Sequence, residues 1–142
     1  MPPEGSVVEY GRDEADWRAL VDATRDFLLE RARLGKVTTY TELNTTISRR
    51  TGLRPFDFED ASERAAVGHL LGRVVQEDPG RPSTGLMLSA LVNYLDRNDA
   101  GPGFYVLATD LGLLPKNASA DAKLAFWLTQ IRSLHQLYRA NT

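Results

Sequence analysis

Cysteine is absent from the 142 residues of this sequence. Without a thiol, the chain cannot form disulfides, cannot offer a thiolate nucleophile and cannot build a zinc–thiolate site. Histidine is scarce as well: His69 and His135 are the only two, so a three-histidine metal site is excluded. We therefore expect neither a metal nor another cofactor. The lack of cysteine also fits a cytoplasmic protein.

Long apolar runs and an excess of basic residues are missing too. No uninterrupted apolar stretch approaches the roughly twenty residues of a membrane-spanning helix, and residues 1–6 lack the pattern of a signal peptide. Lysine and arginine number 17 against 19 aspartates and glutamates, for a net charge of -2. A dedicated nucleic-acid binder usually carries a basic excess, so any such binding here requires a local basic patch.

Hydrophobic spacing predicts a single helix-rich α+β domain over residues 13–142, preceded by a leader over residues 1–12. We expect four or five helices and a small sheet or hairpin, with the last helix over residues 117–140. Polar residues before the helical repeats are candidate N-caps, and glycines after the first two repeats are typical helix ends. The candidate caps are Asp13 or Asp16, Thr39 or Thr41, Asp60 or Ser62, and Asn117 or Ser119; the glycines are Gly35 and Gly52.

The third predicted helix carries two patterns with different implications. Val67, Leu70 and Val74 recur at helical spacing, so we expect them to face the core. Gly68 and Gly72 lie four positions apart on one side of the same helix. Because an interior glycine costs about 1 kcal/mol relative to alanine, this spacing predicts that another backbone approaches closely.

Three further apolar segments follow along the chain. Residues 86–94 form a nearly continuous apolar run that favours a buried strand, with a short helix as the alternative. Residues 104–111 repeat at helical spacing and predict a short helix or a strand that becomes one. The last helix carries a long apolar stripe made of Leu124, Trp127, Leu128, Ile131, Leu134 and Tyr138.

Four motifs occur in an order that resembles the C-terminal domain of the DNA alkyltransferases. Residues 35–43 read Gly-Lys-Val-Thr-Thr-Tyr-Thr-Glu-Leu, and residues 64–71 read Arg-Ala-Ala-Val-Gly-His-Leu-Leu. A Leu-Ser-Ala-Leu-Val run follows at 88–92, and Gly-Phe-Tyr at 103–105. The resemblance implies a winged-helix-like unit over residues 35–105, with the helix from 60 to 77 as the DNA-recognition helix.

The chemistry of that family is not implied by the resemblance. The alkyl acceptor is a cysteine, which this chain lacks. Ser89 sits near its place, but Ala90 and Leu91 follow it where the family has histidine and arginine. A serine hydroxyl without a base is a poor nucleophile near neutral pH. We therefore expect a non-catalytic protein, with Ser89 buried or hydrogen-bonded to main chain and no imidazole within reach.

The expected function is DNA binding by a non-catalytic module. The resemblance assigns DNA contacts to Tyr40 and Arg64, and Arg49, Arg50 and Arg73 are further cations of the same unit. Arg64 and Arg73 are nine positions apart and so lie on opposite sides of a helix. The sequence therefore does not predict one continuous basic patch that contains both.

The alternative is a protein-interaction module, such as an adaptor or inhibitor. It would use the acidic loop of Asp57, Glu59 and Asp60 together with the C-terminal helix, through which a homodimer could also form. A hydrolase is the least favoured reading, because the sequence offers no evident pair of nucleophile and base.

Overall fold

The computed structural model describes residues 8–95 and 97–139. It confirms a helix-rich α+β fold with one small sheet. No helix among the described residues combines the length and apolar character needed to cross a membrane. The elements are α1 (Glu14–Leu34), β1 (Thr38–Thr39), α2 (Tyr40–Thr51), α3 (Ala61–Glu77), the single turn α4 (Arg81–Thr84), a 3-10 helix (Leu88–Leu91), β2 (Val92–Asn93), α5 (Pro102–Asp110) and α6 (Ala120–Arg139).

Side-chain caps and glycines set the ends of the helices. In each of four helices, one of the two candidate caps accepts a hydrogen bond from a backbone N–H of the first turn. Gly35 and Gly52 follow α1 and α2 with φ of 68° and 73°, the left-handed region that favours glycine. The observed caps are Asp13, Thr39, Asp60 and Ser119.

Helix α1 runs through the centre of the core and packs against α2, α3 and α6. On α3, Val67, Leu70 and Val74 are buried, as their spacing predicts. Residues 87–92 of the apolar run at 86–94 are buried too, but the run forms the 3-10 helix and only a two-residue strand. Residues 102–110 form a helix, which resolves the ambiguity at 104–111 in favour of the helix.

The two short strands pair in parallel, with Thr38 opposite Val92 and Thr39 opposite Asn93. The hairpin considered as an alternative to a sheet is therefore not formed by these strands, because a hairpin requires antiparallel neighbours. Parallel pairing also brings the carboxyl ends of both strands to the same edge. The residues that follow the strands, Tyr40 and Tyr94, consequently lie side by side.

Residues 8–12, which the sequence assigns to a leader, pack against the domain; residues 1–7 lie outside the described part. Tyr10 and Gly11 have positive φ and form a tight turn closed by reciprocal backbone hydrogen bonds between Glu9 and Arg12. The Trp17 indole donates to the Glu9 carbonyl at 3.0 Å. Arg12 is 2% exposed, and its guanidinium lies 4.3 Å from the centre of the Phe56 ring. These contacts fasten the turn to α1 and to the loop before α3.

Helix α6 is rotated relative to its predicted apolar stripe. Trp127 and Leu134 are buried, but Leu124 and Leu128 are 45% and 44% exposed, so these two members of the stripe lie outside the core. Gln130 takes the inward position instead. Its Oε1 accepts from the backbone N–H of Met87 at 2.7 Å, and its Nε2 donates to the Gly85 carbonyl at 2.9 Å. These hydrogen bonds fix the face that α6 turns inward.

Candidate functional site

A cavity of about 460 Å³ opens between α3, α5 and the residues that follow the two strands. Most of its wall is apolar, which is typical of ligand pockets that also place a few polar groups. We call it the α3–α5 cavity. Its lining includes Tyr40, Arg64, Gly68, Gly72, Ser89, Tyr94, Gly101 and Asp110.

The aromatic side of the α3–α5 cavity is made by Tyr40 and Tyr94. Their ring centroids are 5.2 Å apart and their planes are nearly perpendicular. Gly101 makes this arrangement possible, because a Cβ at that position would come within 2.9 Å of Cδ2 of Tyr94. Burial raises the pKa of the Tyr40 hydroxyl to about 12, with a smaller contribution from Tyr94. The Tyr40 hydroxyl thus keeps its proton even in alkaline solution and can act as an O–H donor.

The opposite wall is the bare face of α3. Gly68 and Gly72 lie here, and a Cβ added at either position would meet no atom within 4 Å. The predicted close approach of another backbone is therefore wrong, because this face looks into open space. Ala61 and Ala65 continue the same surface toward the start of α3. Small residues along this side leave the cavity wide.

Ser89 lies in the 3-10 helix and lines the α3–α5 cavity. It is 5% exposed, so it is buried as the sequence predicts. Its carbonyl accepts from the Val92 N–H, whereas its hydroxyl forms no hydrogen bond with any described residue. The described lining contains no imidazole, since His69 lies against Trp17 and Glu9, and His135 contacts the Lys36 carbonyl.

Two charged residues stand at the α3–α5 cavity. Arg64 is half-buried, and its Nη1 donates to the Phe58 carbonyl at 2.5 Å, which holds the guanidinium at the start of α3. Asp110 is exposed at the end of α5. Sequence reasoning did not find Asp110, because its place at the cavity depends on how α5 packs against α3.

The five residues predicted to bind DNA are divided among three places. Tyr40 and Arg64 line the α3–α5 cavity together. Arg49 and Arg50 line a separate cleft between α1 and α2. Arg73 faces α1, and the structure does not bring it near either group.

The guanidinium of Arg73 is bound by two carboxylates, which accept three of its five N–H donors. Its Nη2 lies 2.8 Å from Oε1 of Glu14, and its Nε lies 2.8 Å from Oε2 of Glu77. Hydrogen bonds to these two carboxylates raise the pKa of Arg73, and the side chain is 18% exposed. It holds α1 against α3.

The acidic loop before α3 serves local structure. Asp57 accepts from the Glu59 N–H at 3.0 Å, and Asp60 caps α3. No group of three or more histidine, aspartate or glutamate side chains in residues 8–95 and 97–139 is arranged to hold a metal ion. The loop is thus a turn and a helix cap.

Comparisons with protein-family models, with curated proteins and with solved structures found no match to this chain. The α3–α5 cavity and the residues around it are the features of this chain from which a function can be inferred.

Proposed function

We propose that this chain is a non-catalytic DNA-binding module that presents α3 to a duplex and receives one unstacked base in the α3–α5 cavity. The observation that carries the proposal is the position of that cavity. It opens along the exposed face of α3, with the cation Arg64 at the start of the helix. A cation at this position supplies a phosphate contact next to a pocket.

The α3–α5 cavity has the properties of a pocket for a neutral flat ring. Proteins that extrude a base hold it by contact with aromatic and apolar side chains and by hydrogen bonds to its edge. Tyr40 and Tyr94 supply the aromatic surface, and the bare side of α3 leaves room opposite them. The hydroxyls of Tyr40 and Ser89 supply donors and acceptors for a polar edge.

The order of the motifs supports the DNA-related role. A β-strand leads into α2, α3 follows, and the Ser89 segment and β2 come next, the order in which the resemblance to the DNA alkyltransferases arises. Alkyl transfer itself is excluded, since the sequence holds no cysteine. Binding without reaction and a cytoplasmic location are both part of this proposal.

Binding to a mismatched duplex tests the proposal. Unstacking is easiest for a mismatched base, so fluorescence anisotropy should show affinity about tenfold higher for a duplex with one mismatch than for its fully paired counterpart. Gly68→Leu fills the cavity and should remove this preference. Gly68→Ala, the matched control, should keep it. Circular dichroism establishes that both variants fold.

Two results would overturn base insertion. Equal affinity of the wild-type protein for the mismatched and the fully paired duplex would show that it does not bind an unstacked base. A Gly68→Leu protein that keeps the full preference would place the bound base elsewhere. Absence of any duplex binding at low salt would overturn the DNA-binding role as a whole.

The second candidate function is protein interaction through the outer face of α6. Leu124 and Leu128 are exposed and one turn apart, a pattern favoured where a helix meets a partner. Sedimentation velocity of the wild type and of Leu124→Lys separates self-association from a monomeric state. A concentration-dependent dimer that the substitution abolishes would favour this candidate; a monomer at all concentrations would count against the homodimer.

A further inference from the structure

A second cleft, of about 400 Å³, lies between the C-terminal parts of α1 and α2. We call it the cationic cleft. It is separate from the α3–α5 cavity and shares no lining residue with it. Its lining consists of Phe27, Glu30, Arg31, Leu34, Lys36, Thr46, Arg49 and Arg50.

Positive charge is concentrated in the cationic cleft. Four of its lining side chains are cations, and Glu30 is the single acid among them. Adding Glu42, which pairs with Arg31 from outside the lining, gives four positive and two negative charges, a local excess of two. The chain as a whole has a net charge of -2. The cleft is thus a local basic patch of the kind that the composition alone does not reveal.

Two of the four cations are held in place by the protein. Nη1 and Nη2 of Arg50 donate to the two Glu30 oxygens at 2.6 and 3.0 Å, and Arg31 lies 3.1 Å from Glu42. The guanidinium carbons of both arginines also lie over the Phe27 ring, 5.0 Å away for Arg31 and 5.4 Å for Arg50. Aromatic contact of this kind stabilises a cation. These two side chains form an ordered base for the cleft.

The other two cations have no acidic partner. The side chains of Arg49 and Lys36 are exposed and form no hydrogen bond or ion pair with the described residues. The backbone of Lys36 is nevertheless fixed, because a ring nitrogen of His135 donates to its carbonyl at 3.0 Å. Two free cations therefore stand beside two occupied ones.

Helix capping does not explain this concentration of cations. Basic residues in the last turn of a helix often offset its dipole, and Arg49 and Arg50 lie in the last turn of α2. However, the Gly52 N–H donates a hydrogen bond to the Ser48 carbonyl at the end of α2. Arg50 donates to Glu30 on α1 instead of to the carbonyls of its own helix. Arg49 bonds to none of the last carbonyls.

We infer that the cationic cleft binds a phosphate group. The planar fork of an arginine and the compact charge of a lysine are the usual partners of phosphate oxygens, and Arg49 and Lys36 supply one of each. The Thr46 hydroxyl in the lining adds a neutral donor. The local excess of two positive charges matches the charge of one phosphate. This site stands independently of base insertion in the α3–α5 cavity.

The phosphate has two sources, a free phosphate or the backbone of a nucleic acid, and NMR titration separates them. Inorganic phosphate is added to ¹⁵N-labelled wild-type protein in one arm, and a short fully paired duplex in the other. Saturable shifts of residues 27–36 and 46–50 are expected in at least one arm, and with inorganic phosphate they should be confined to these residues. Arg49→Gln and Lys36→Gln should each weaken that binding about tenfold.

Lys116→Gln is the matched control, because it removes one exposed lysine charge far along the chain from the cleft residues. Shifts with the duplex but not with inorganic phosphate identify a nucleic-acid backbone as the source of the phosphate. Shifts with both probes identify a general phosphate site. The inference is overturned if neither probe shifts the cleft, or if Lys116→Gln weakens binding as much as Arg49→Gln. Gly68→Leu should leave phosphate binding unchanged, so failure of base insertion and failure of this inference are distinguishable.

Discussion

The indole N–H of Trp127 donates to the carbonyl of Ala90 at 2.8 Å, so α6 holds the residue next to Ser89 in the 3-10 helix. One turn along the same helix, Gln130 bonds to Met87 and Gly85. Helix α6 therefore supports the segment that carries Ser89 to the α3–α5 cavity, without lining the cavity itself.

Gln130→Leu should lower the free energy of unfolding by about 1–3 kcal/mol, because the buried Met87 N–H loses its acceptor. Urea unfolding measures this change. Gln136→Leu, on an exposed position of the same helix, should remain within about 0.5 kcal/mol of wild type. Equal effects of the two substitutions would show that the buried amide does not stabilise the fold.

Leu70→Ala should cost about 2–5 kcal/mol, since Leu70 is 0% exposed and the substitution leaves a cavity in the core. The same change at the exposed Leu128 should cost far less. The shift of the urea midpoint compares the two. A midpoint that hardly moves for Leu70→Ala would contradict the observed inward face of α3.

Gly68→Ala should stabilise the protein by about 1 kcal/mol, because alanine favours the helix and the added methyl group enters open space. Gly101→Ala should have the opposite effect, because its Cβ would crowd the Tyr94 ring at 2.9 Å. Thermal unfolding of both variants measures whether each substitution raises or lowers the stability. Destabilisation by Gly68→Ala would mean that this side of α3 is occupied.

Acid should weaken the contact between α1 and α3. The hydrogen bond from Arg73 lowers the pKa of Glu14 below its ordinary value of 4.5. A carboxylate with a lowered folded pKa contributes stability above its unfolded pKa, and this contribution disappears as pH falls through the folded value. Wild-type protein should therefore lose more stability below about pH 4.5 than Arg73→Gln does. Urea unfolding across this pH range makes the comparison, and identical pH profiles would contradict it.

Arg64→Gln should weaken binding to any duplex and reduce the slope of log affinity against log salt by about one, as expected for one lost phosphate contact. Arg73→Gln is the internal comparison, because Glu14 and Glu77 already occupy that guanidinium. Anisotropy titrations at several salt concentrations give both slopes. A larger change for Arg73→Gln than for Arg64→Gln would reverse the assignment.

Local signals in the sequence predicted the helices well. A cap such as Asp13 or Asp60 acts on an N–H two or three residues away, and Gly35 acts on the turn just before it. Such interactions are contained in a short window, so spacing and residue type are sufficient to predict them. The burial of Val67, Leu70 and Val74 follows from the same local periodicity.

The features that the sequence did not predict depend on residues far apart along the chain. Gln130 turns inward because Met87 and Gly85 offer backbone groups, which no pattern within α6 shows. Arg73 pairs with Glu14, which lies at the start of another helix. The spacing of Gly68 and Gly72 in the sequence is the same whether another backbone or open space lies opposite them. Only the packing of α5 distinguishes these cases.

Because β1 and β2 pair in parallel, the ring contact between Tyr40 and Tyr94 reports whether the tertiary fold has formed. Each strand has only two residues, and a slip of one position would turn Tyr94 to the other face of the pair. The contact therefore forms only when residues 40–91 have closed into a complete crossover. A chain that formed its helices without this closure would retain its helical circular dichroism and yet have no α3–α5 cavity.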